Sequence, residues 1–328
     1  MTTTSPHLLA GWTPIQVGCR DGRPVVRWCF TEGIEFTDPF FHQTVEHCMK
    51  DLFRLLFWRE TDIVALAHLA IASPGLDPAG FIFHTSRSGS TLVAQMFASL
   101  PSALVMSEPD PLDTVLRAQT AFAGVSDADT VDWLRWMVSA LGQQRIAGQS
   151  RLVVKLDAWA ILCWPAIRRA FPDTPCVFVY RDPTEVVLSQ LGHRGFHMVP
   201  GTLPAASFGL SEVELSSLSP SQYCAAVLAR LCEAALPAAR DGSLMLIDYA
   251  SLPHAVSDTV APHFGFEVGP PELALFASVA ERDAKNPVVP FVRGAANHTR
   301  DTPELRAIVD GRVGSVYAAL EAIRESRS

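Results

Sequence analysis

Short apolar runs and helix-spaced apolar stripes alternate along most of this chain. From residue 76 onward, we predict five buried strands, at residues 81–84, 103–106, 152–156, 176–180 and 244–248. Segments with helical spacing separate them, which favours parallel strands joined by crossover helices. The pattern therefore predicts an α/β fold, a three-layer arrangement around a parallel sheet of about five strands.

The segments between these strands are predicted helices. They cover residues 90–100, 127–145, 158–171, 183–192 and 221–239. A last helix has Thr302 as N-cap and Pro303 at its first position, and its apolar stripe continues to Ile323. Residues 193–220 are rich in Gly, Pro and Ser and have no period, so we predict a long loop of the kind that often covers a substrate.

The first 75 residues follow a different pattern. A β-like stretch at residues 24–30 precedes a helical face formed by Val45, Met49, Leu52 and Leu56, and a second apolar helix is predicted at residues 62–72. No catalytic pattern is visible there. We expect residues 1–75 to be a small N-terminal appendage that packs against or covers the main domain, residues 76–328.

Composition excludes several classes of protein. Apolar residues make up 48% and charged residues 18%, which excludes a disordered chain. The net charge of −8 argues against a broad nucleic-acid surface. The start lacks the features of a signal peptide, and the longest apolar stretch is too short for a bilayer, so no membrane partner is expected. The seven cysteines have no metal-ligand spacing and are expected to be buried thiols in a reducing, cytoplasmic setting.

The junction after the first main-domain strand has the features of a phosphate-binding loop. It begins with Thr85, and the next helix starts near Ser90, so unpaired backbone N–H groups and the positive helix end point to one place. Gly89 permits close approach of an anion, and Arg87 adds a cation. Hydroxyl donors come from Ser88, Ser90 and Thr91. A Walker A motif is absent, and an ordinary capped helix start is the alternative.

A second basic residue follows the fourth main-domain strand. Arg181 stands at the strand end, and Asp182, Pro183 and Glu185 form a capping-box arrangement for the next helix. Ser189 lies on that helix, so Arg181 and Ser189 could hold one phosphate together. Each residue alone is also common on a protein surface.

Taken together, the two motifs resemble those of the sulfotransferase family. The stretch from His84 to Leu92 is similar to the family's first loop, which binds the 5′-phosphosulfate of 3′-phosphoadenosine 5′-phosphosulfate (PAPS). Arg181 and Ser189, about 90 residues further on, have the spacing of the pair that binds the 3′-phosphate. The resemblance covers about residues 78–327. It implies sulfuryl transfer from PAPS, without a metal, to a hydroxyl or amine of a small-molecule or carbohydrate acceptor.

The resemblance also implies roles for single residues. Residues Ser86, Arg87, Ser88, Gly89, Ser90 and Thr91 would bind the donor. A basic, Gly-containing loop usually closes over the nucleotide in this family, and Arg293-Gly294 is the best match, with Lys285 as a second possibility.

The catalytic residues that the resemblance implies follow the second and third main-domain strands. Glu108 matches the base of the carbohydrate-modifying and some bacterial members, and Lys155 with Arg87 would stabilise the leaving oxygen. Asp157 stands where the cytosolic animal branch has a catalytic His, which makes it the second candidate base. Asp157 could instead be the N-cap of the helix that begins at Ala158.

Two other functions stay open at the level of sequence. One is a nucleotide-dependent kinase of a small molecule, against which the missing Walker lysine argues. The other is a non-catalytic nucleotide-binding interaction module. The sequence does not identify the acceptor or the oligomeric state.

Overall fold

The computed structural model describes residues 9–291 and 301–327, and its centre is a five-stranded parallel sheet. The strands are β1 Trp12–Arg20, β2 Arg23–Phe30, β3 Arg59–Asp62, β4 Pro78–His84, β5 Ala103–Ser107, β6 Arg151–Lys155, β7 Cys176–Tyr180, β8 Met245–Asp248, β9 Arg282–Asp283 and β10 Asn286–Pro290. The order across the central sheet is β5-β6-β4-β7-β8, and each neighbouring pair is parallel. The five predicted strands are therefore confirmed, with ends shifted by up to three residues.

Helices cover both faces of this sheet. They are α1 Phe41–Met49, α2 Leu52–Leu56, α3 Val64–Ala72, α4 Ser90–Ala98, α5 Asp110–Leu116, α6 Ala118–Ala121, α7 Asp127–Leu141, α8 Trp164–Ala170, α9 Pro183–Gly192, α10 Glu212–Ser217, α11 Pro220–Asp241, α12 Ala261–His263, α13 Pro270–Ala280, α14 Pro303–Val309 and α15 Ser315–Glu325. None of the described helices is both long and apolar enough to cross a membrane.

Alternation along the central strands produces two separate buried cores. On β4, Phe81 and Phe83 pack in one core while Ile82 packs in the other. The second core contains Val93 of α4 and Phe276 of α13, and the first is filled largely from α7 and α11. A sheet buried on both faces explains why its strands are nearly continuous apolar runs. The three-layer α/β class predicted from the sequence is confirmed.

The N-terminal residues form an antiparallel sheet, β1-β2-β3, whose buried side chains join the first core. Trp12 and Trp28 belong to the same buried cluster as Phe83 of the central sheet. Strand β1 was not predicted, because its apolar residues do not alternate regularly with polar ones. The appendage therefore shares its core with the main domain.

Several predicted elements differ from the structure. The helix predicted at residues 158–171 begins as a 3₁₀ turn, Ala158–Cys163, which α8 follows. The helical face from Val45 to Leu56 is broken at Asp51, whose carboxylate accepts hydrogen bonds from the backbone N–H groups of Phe53 and Arg54 and starts α2. The break leaves Leu52 and Leu56 exposed instead of buried. The predicted loop at 193–220 contains short helical turns and α10, because Ser211 and Glu214 form a capping box.

The predicted last helix is present with an interruption. Thr302 caps it by accepting from the Leu305 N–H at 3.2 Å. A π-helical segment, Asp310–Gly314, separates α14 from α15. Val313 and Leu320 of the predicted apolar stripe are nevertheless buried. A π-helical turn contains about one residue more than an α-helical turn, and this change of spacing leaves both side chains facing the core.

Candidate functional site

The carboxyl ends of the central strands open into a cavity of about 510 Å³. The sequence-predicted residues that line it are Ser86, Arg87, Gly89, Ser90, Thr91, Glu108, Asp157, Arg181 and Ser189. They come from the segments after β4, β5, β6 and β7. After β6 the chain crosses β4 to reach β7, and such a switch point at the carboxyl edge is where open α/β sheets bind ligands. Arg293 and Gly294 lie outside the described residues.

The loop after β4 ends at the first turn of α4. Gly89 is the N-cap of that helix, with a φ of 85° in the left-handed region, and no side chain caps the helix. The first N–H groups of α4 are therefore available to an anion in the cavity. The hydroxyls of Ser90 and Thr91, at its first two positions, line the same space.

Backbone strain is concentrated at this site. Four non-glycine residues of the described chain have a positive φ, and three of them, Ser86, Arg87 and Glu108, line the cavity. Left-handed backbone is costly for residues with a Cβ and persists only where the surroundings enforce it. The surrounding fold therefore holds these three residues in defined orientations, as a binding site requires.

His84 anchors the loop between β4 and α4 through two hydrogen bonds. Its Nδ1 accepts a hydrogen bond from the Ser86 N–H at 2.9 Å, and its Nε2 donates to the Leu156 carbonyl at 3.0 Å. Burial, aided by the nearby charge of Lys155, lowers the pKa of His84. The ring is therefore neutral and both of its nitrogens are engaged, which makes His84 a positioning residue.

Ser88 has a different role from the one predicted. It is fully buried, and its hydroxyl donates to the Val179 carbonyl at 2.7 Å. That bond ties the loop to the end of β7. Ser88 does not line the cavity, and its hydroxyl is used within the fold, so a role of Ser88 in binding the donor stays a prediction.

Lys155 and Glu108 form a buried ion pair at the end of β6. The Lys155 side chain is fully buried, and its Nζ donates to Oε1 of Glu108, which also lies 3.3 Å from Nε2 of His84. Burial opposes ionisation of Glu108, but the Lys155 ammonium and the His84 hydrogen bond outweigh it and hold the pKa of Glu108 well below its ordinary value. The two residues are 47 positions apart, so their pairing could not be predicted from the sequence.

Asp157 stands at the N-cap position of the turn Ala158–Cys163, yet its carboxylate makes no capping hydrogen bond. Asp157 therefore has the predicted N-cap position, but its side chain does not cap the turn. Asp157 lines the cavity instead, and burial together with the charges of Glu108 and Asp113 raises its pKa well above the ordinary value. A carboxyl group with a raised pKa beside a cavity is chemically suited to proton transfer.

Arg181 is held in the cavity by Tyr249, by Glu185 and by the Arg87 carbonyl, which accepts from its Nη1 at 3.5 Å. Its guanidinium lies 4.2 Å from the centre of the Tyr249 ring, and its Nε donates to Oε2 of Glu185 at 2.5 Å. Glu185 therefore pairs with Arg181, and the predicted capping box is only half present: Asp182 accepts from the Glu185 N–H at 2.9 Å. Ser189, one turn further along α9, lines the same cavity.

Several cavity residues were not assigned to the site from the sequence. Phe40, from the appendage, lies with its ring centre 5.1 Å from Nζ of Lys155 and 5.9 Å from Nζ of Lys285. Phe196 comes from the segment predicted as a loop, as do His193 and His197, the two loop histidines that could reach an acceptor. An aromatic residue just before a helix carries no local signal of its role. The predicted substrate-covering function of residues 193–220 was the one available indication.

The charges at the cavity suit an anionic ligand. Arg87, Arg181 and Lys285 line it, and Lys155 borders it behind Glu108. Burial and the charges of Arg87 and Lys155 lower the pKa of Lys285 to about 8, as expected where cations crowd together. Within residues 9–291 and 301–327, no three His, Cys, Asp or Glu side chains are grouped as a metal site would need.

We expect a Gly89→Ala substitution to destabilise the protein by more than about 1–2 kcal/mol, because left-handed backbone alone costs that amount for a residue with a Cβ. The new Cβ would also approach Cδ1 of Leu252 to 2.6 Å. Gly22→Ala is the matched control, since Gly22 has a φ of 76° but no atom within 4 Å of the added Cβ. Urea unfolding measures both, and equal losses would contradict the role of the Leu252 contact.

Comparisons with known proteins place sulfotransferases beside this chain. No protein-family model matches the sequence, and no curated protein matches it. The sulfotransferase STF9 from Mycobacterium avium is 14% identical, with a TM-score of 0.46, over 75% of this chain and 78% of that one. A sulfotransferase from Alicyclobacillus acidocaldarius is 15% identical, with a TM-score of 0.44, over 76% and 96%. Retinol dehydratase, in complex with androsterone and the inactive cofactor PAP, is 12% identical, with a TM-score of 0.39, over 75% and 83%.

Proposed function

We propose that this chain is a sulfotransferase that moves a sulfuryl group from PAPS to a hydroxyl or amine of a small-molecule or carbohydrate acceptor. One observation carries the proposal. The N-terminus of α4 and the side chains of Arg87, Arg181 and Ser189 all line one cavity at the switch point of the sheet. A donor with phosphates at both its 5′ and 3′ positions needs two separate anion sites in one cavity, and this arrangement offers them.

The two anion sites are built from different hydrogen-bonding groups. The first consists of backbone N–H groups of α4, the hydroxyls of Ser90 and Thr91, and Arg87, which suits the 5′-phosphosulfate. The second consists of Arg181 and Ser189, which suits the 3′-phosphate. Tyr249 adds an aromatic face beside Arg181.

Lys155 and Glu108 would act at the point of transfer. Transfer needs a cation near the leaving oxygen and a base for the acceptor proton. In the structure these two side chains neutralise each other, so Glu108 is a weak base. An anion that draws Lys155 toward itself would weaken this pair and raise the pKa of Glu108. We propose that the base gains strength only when the donor is bound, with Asp157 as the alternative base.

Calorimetry with 3′-phosphoadenosine 5′-phosphate and with ATP tests the cofactor class. We expect the bisphosphate to bind and ATP, with or without magnesium, to bind much more weakly. Tight ATP binding together with magnesium-dependent ATP turnover would support the kinase alternative. Bisphosphate binding without any sulfuryl transfer or PAPS hydrolysis would support a non-catalytic binding module.

Arg87 is expected to act in chemistry as well as in binding, because negative charge grows on the leaving 5′-phosphate oxygen. Its Nη2 donates to the His193 carbonyl at 2.5 Å, so the guanidinium is already oriented at the cavity. We expect Arg87→Lys, which keeps the charge but loses the planar fork, to retain more activity than Arg87→Ala. Turnover of PAPS measures this, and an Arg87→Ala variant as active as the original would remove Arg87 from the site.

A further inference from the structure

The short turn Phe196–Met198 presents two adjacent side chains to the cavity at different depths. Phe196 is 65% exposed at the mouth, whereas His197 is 7% exposed. The Nε2 atom of His197 is buried and has no hydrogen-bond partner among the described residues. Buried polar atoms are nearly always paired, and His197 lines the cavity, so its unpaired nitrogen is a candidate partner for a ligand that enters there.

The turn is fixed in place by hydrogen bonds on both sides. The Gly195 N–H donates to Oε1 of Gln190 at 2.8 Å, and Nε2 of Gln190 donates to Oγ of Ser86 at 3.1 Å. The Tyr223 hydroxyl donates to the His197 carbonyl at 3.3 Å. The backbone of the turn is therefore held in place by α9 and by α11, and the unpaired nitrogen of His197 does not result from a freely moving loop.

The surroundings define what His197 can bind. Burial and the nearby His84 lower the pKa of His197 to about 4, so its ring is neutral at pH 7, with one N–H donor and one lone pair. A hydroxyl can both donate and accept, which satisfies either tautomer. The cavity lining holds more cations than carboxylates and therefore disfavours a protonated amine: the cations are Arg87, Arg181, Arg194, Arg282 and Lys285, and the carboxylates are Glu108, Asp157 and Asp283. Glu108 is close enough to interact electrostatically with His197, so a hydroxyl bound there lies near the proposed base.

We propose that His197 binds the nucleophilic hydroxyl of the acceptor. This inference rests on the proposed function and narrows its acceptor from hydroxyl or amine to hydroxyl. His197 acts as an acceptor-binding residue, holding the oxygen in place while the proton leaves for the base.

His263 shows that an unpaired nitrogen alone is not the criterion. Its Nε2 is also buried without a partner, but His263 lies at the end of α12 and does not line the cavity. It provides a matched control, since removing it eliminates an imidazole of the same kind elsewhere in the fold.

The test compares His197→Ala, His197→Asn and His263→Ala in sulfuryl transfer from labelled PAPS. The probe acceptors are phenol, benzyl alcohol and glucosamine, with water as the acceptor in PAPS hydrolysis. We expect His197→Ala to raise the acceptor KM, or to lower the rate of hydrolysis, at least about tenfold. The Kd for 3′-phosphoadenosine 5′-phosphate should stay within about twofold of the original. His197→Asn should recover part of the loss because its amide can still hydrogen-bond, and His263→Ala should leave the KM unchanged.

Unchanged acceptor KM and hydrolysis in His197→Ala would overturn the inference, and so would a loss of nucleotide affinity equal to the loss in transfer. Transfer to the amine of glucosamine in preference to its hydroxyls would overturn the choice of a hydroxyl. A protein that binds the bisphosphate and transfers sulfuryl groups normally without His197 refutes this inference alone. A protein that neither binds the bisphosphate nor turns over PAPS refutes the proposed function itself, and the inference with it.

Discussion

A Glu108→Gln enzyme should turn over roughly 10²–10⁴ times more slowly than the original, because a general base contributes about that factor. Glutamine keeps the size of the side chain and an oxygen that can still accept from Nζ of Lys155, which is fully buried. It cannot take the acceptor proton. We therefore expect nucleotide affinity not to fall while turnover collapses. The measurement is sulfuryl transfer, or PAPS hydrolysis where no acceptor is known.

Asp157→Asn is the matched control for Glu108→Gln, because it also changes a carboxylate of the same cavity into an amide. We expect Asp157→Asn to lose less turnover than Glu108→Gln. No capping bond is removed. A carboxyl whose pKa is raised by folding weakens the folded state as the pH rises from its unfolded pKa through its folded one. Removing it should therefore leave the melting temperature unchanged or higher.

The pH profile separates the two candidate bases. The base must be deprotonated, and kcat/KM for PAPS reports groups of the enzyme before the donor binds. The pKa of Glu108 is held well below its ordinary value, so a Glu108 base gives no acid limb near neutral pH. The pKa of Asp157 is raised, so an Asp157 base makes kcat/KM fall as the pH drops through that raised value. An active Glu108→Gln enzyme beside an inactive, folded Asp157→Asn enzyme would reverse the assignment.

Replacing Arg181 by alanine should weaken binding of 3′-phosphoadenosine 5′-phosphate by about 2–4 kcal/mol, or roughly 30-fold to 1,000-fold. The guanidinium makes a charge-assisted contact, whereas the Ser189 hydroxyl makes a neutral one. Ser189→Ala should therefore cost only about 0.5–1.5 kcal/mol. Calorimetry measures both. Glu185 holds Nε of Arg181 at 2.5 Å, so Glu185→Gln should not weaken binding, because it removes a competing carboxylate.

A ligand without the 3′-phosphate provides the control for Arg181→Ala. Adenosine 5′-phosphate lacks the 3′-phosphate, so the original and Arg181→Ala proteins should bind it equally. Arg230→Ala, on the exposed side of α11 and paired with Glu233 at 3.7 Å, controls for the loss of one positive charge. If Arg181→Ala weakens adenosine 5′-phosphate as much as the bisphosphate, Arg181 does not read the 3′-phosphate.

The appendage contributes to the site through one side chain. Phe40 precedes α1 and lies over the ammonium groups of Lys155 and Lys285. This contact agrees with the substrate-covering role expected for residues 1–75, which stays a prediction. The division of the chain at residue 75 also stays a prediction, although both parts share one buried core.

The central sheet and the two segments proposed to bind anions could be predicted from the sequence alone. Buried parallel strands must be apolar on both faces, so their short runs were visible without any tertiary information. The loop from Ser86 to Thr91 and the Arg181–Ser189 pair follow strand ends within a few residues, and the chain topology then brings strand ends to one edge. Local signals were therefore enough for these residues.

Tertiary structure alone decided what each side chain does there. The pairing of Lys155 with Glu108 depends on β5 lying beside β6, and the position of Phe40 depends on how the appendage packs. Ser88 has a hydroxyl that could bind a phosphate, but this hydroxyl donates to a carbonyl of β7. Asp157 has a carboxylate that could cap a helix, but its side chain lines the cavity and makes no capping bond. Hydrogen bonds and ion pairs between distant segments have no signature in a single sequence, because they form only after strands from separate parts of the chain become neighbours.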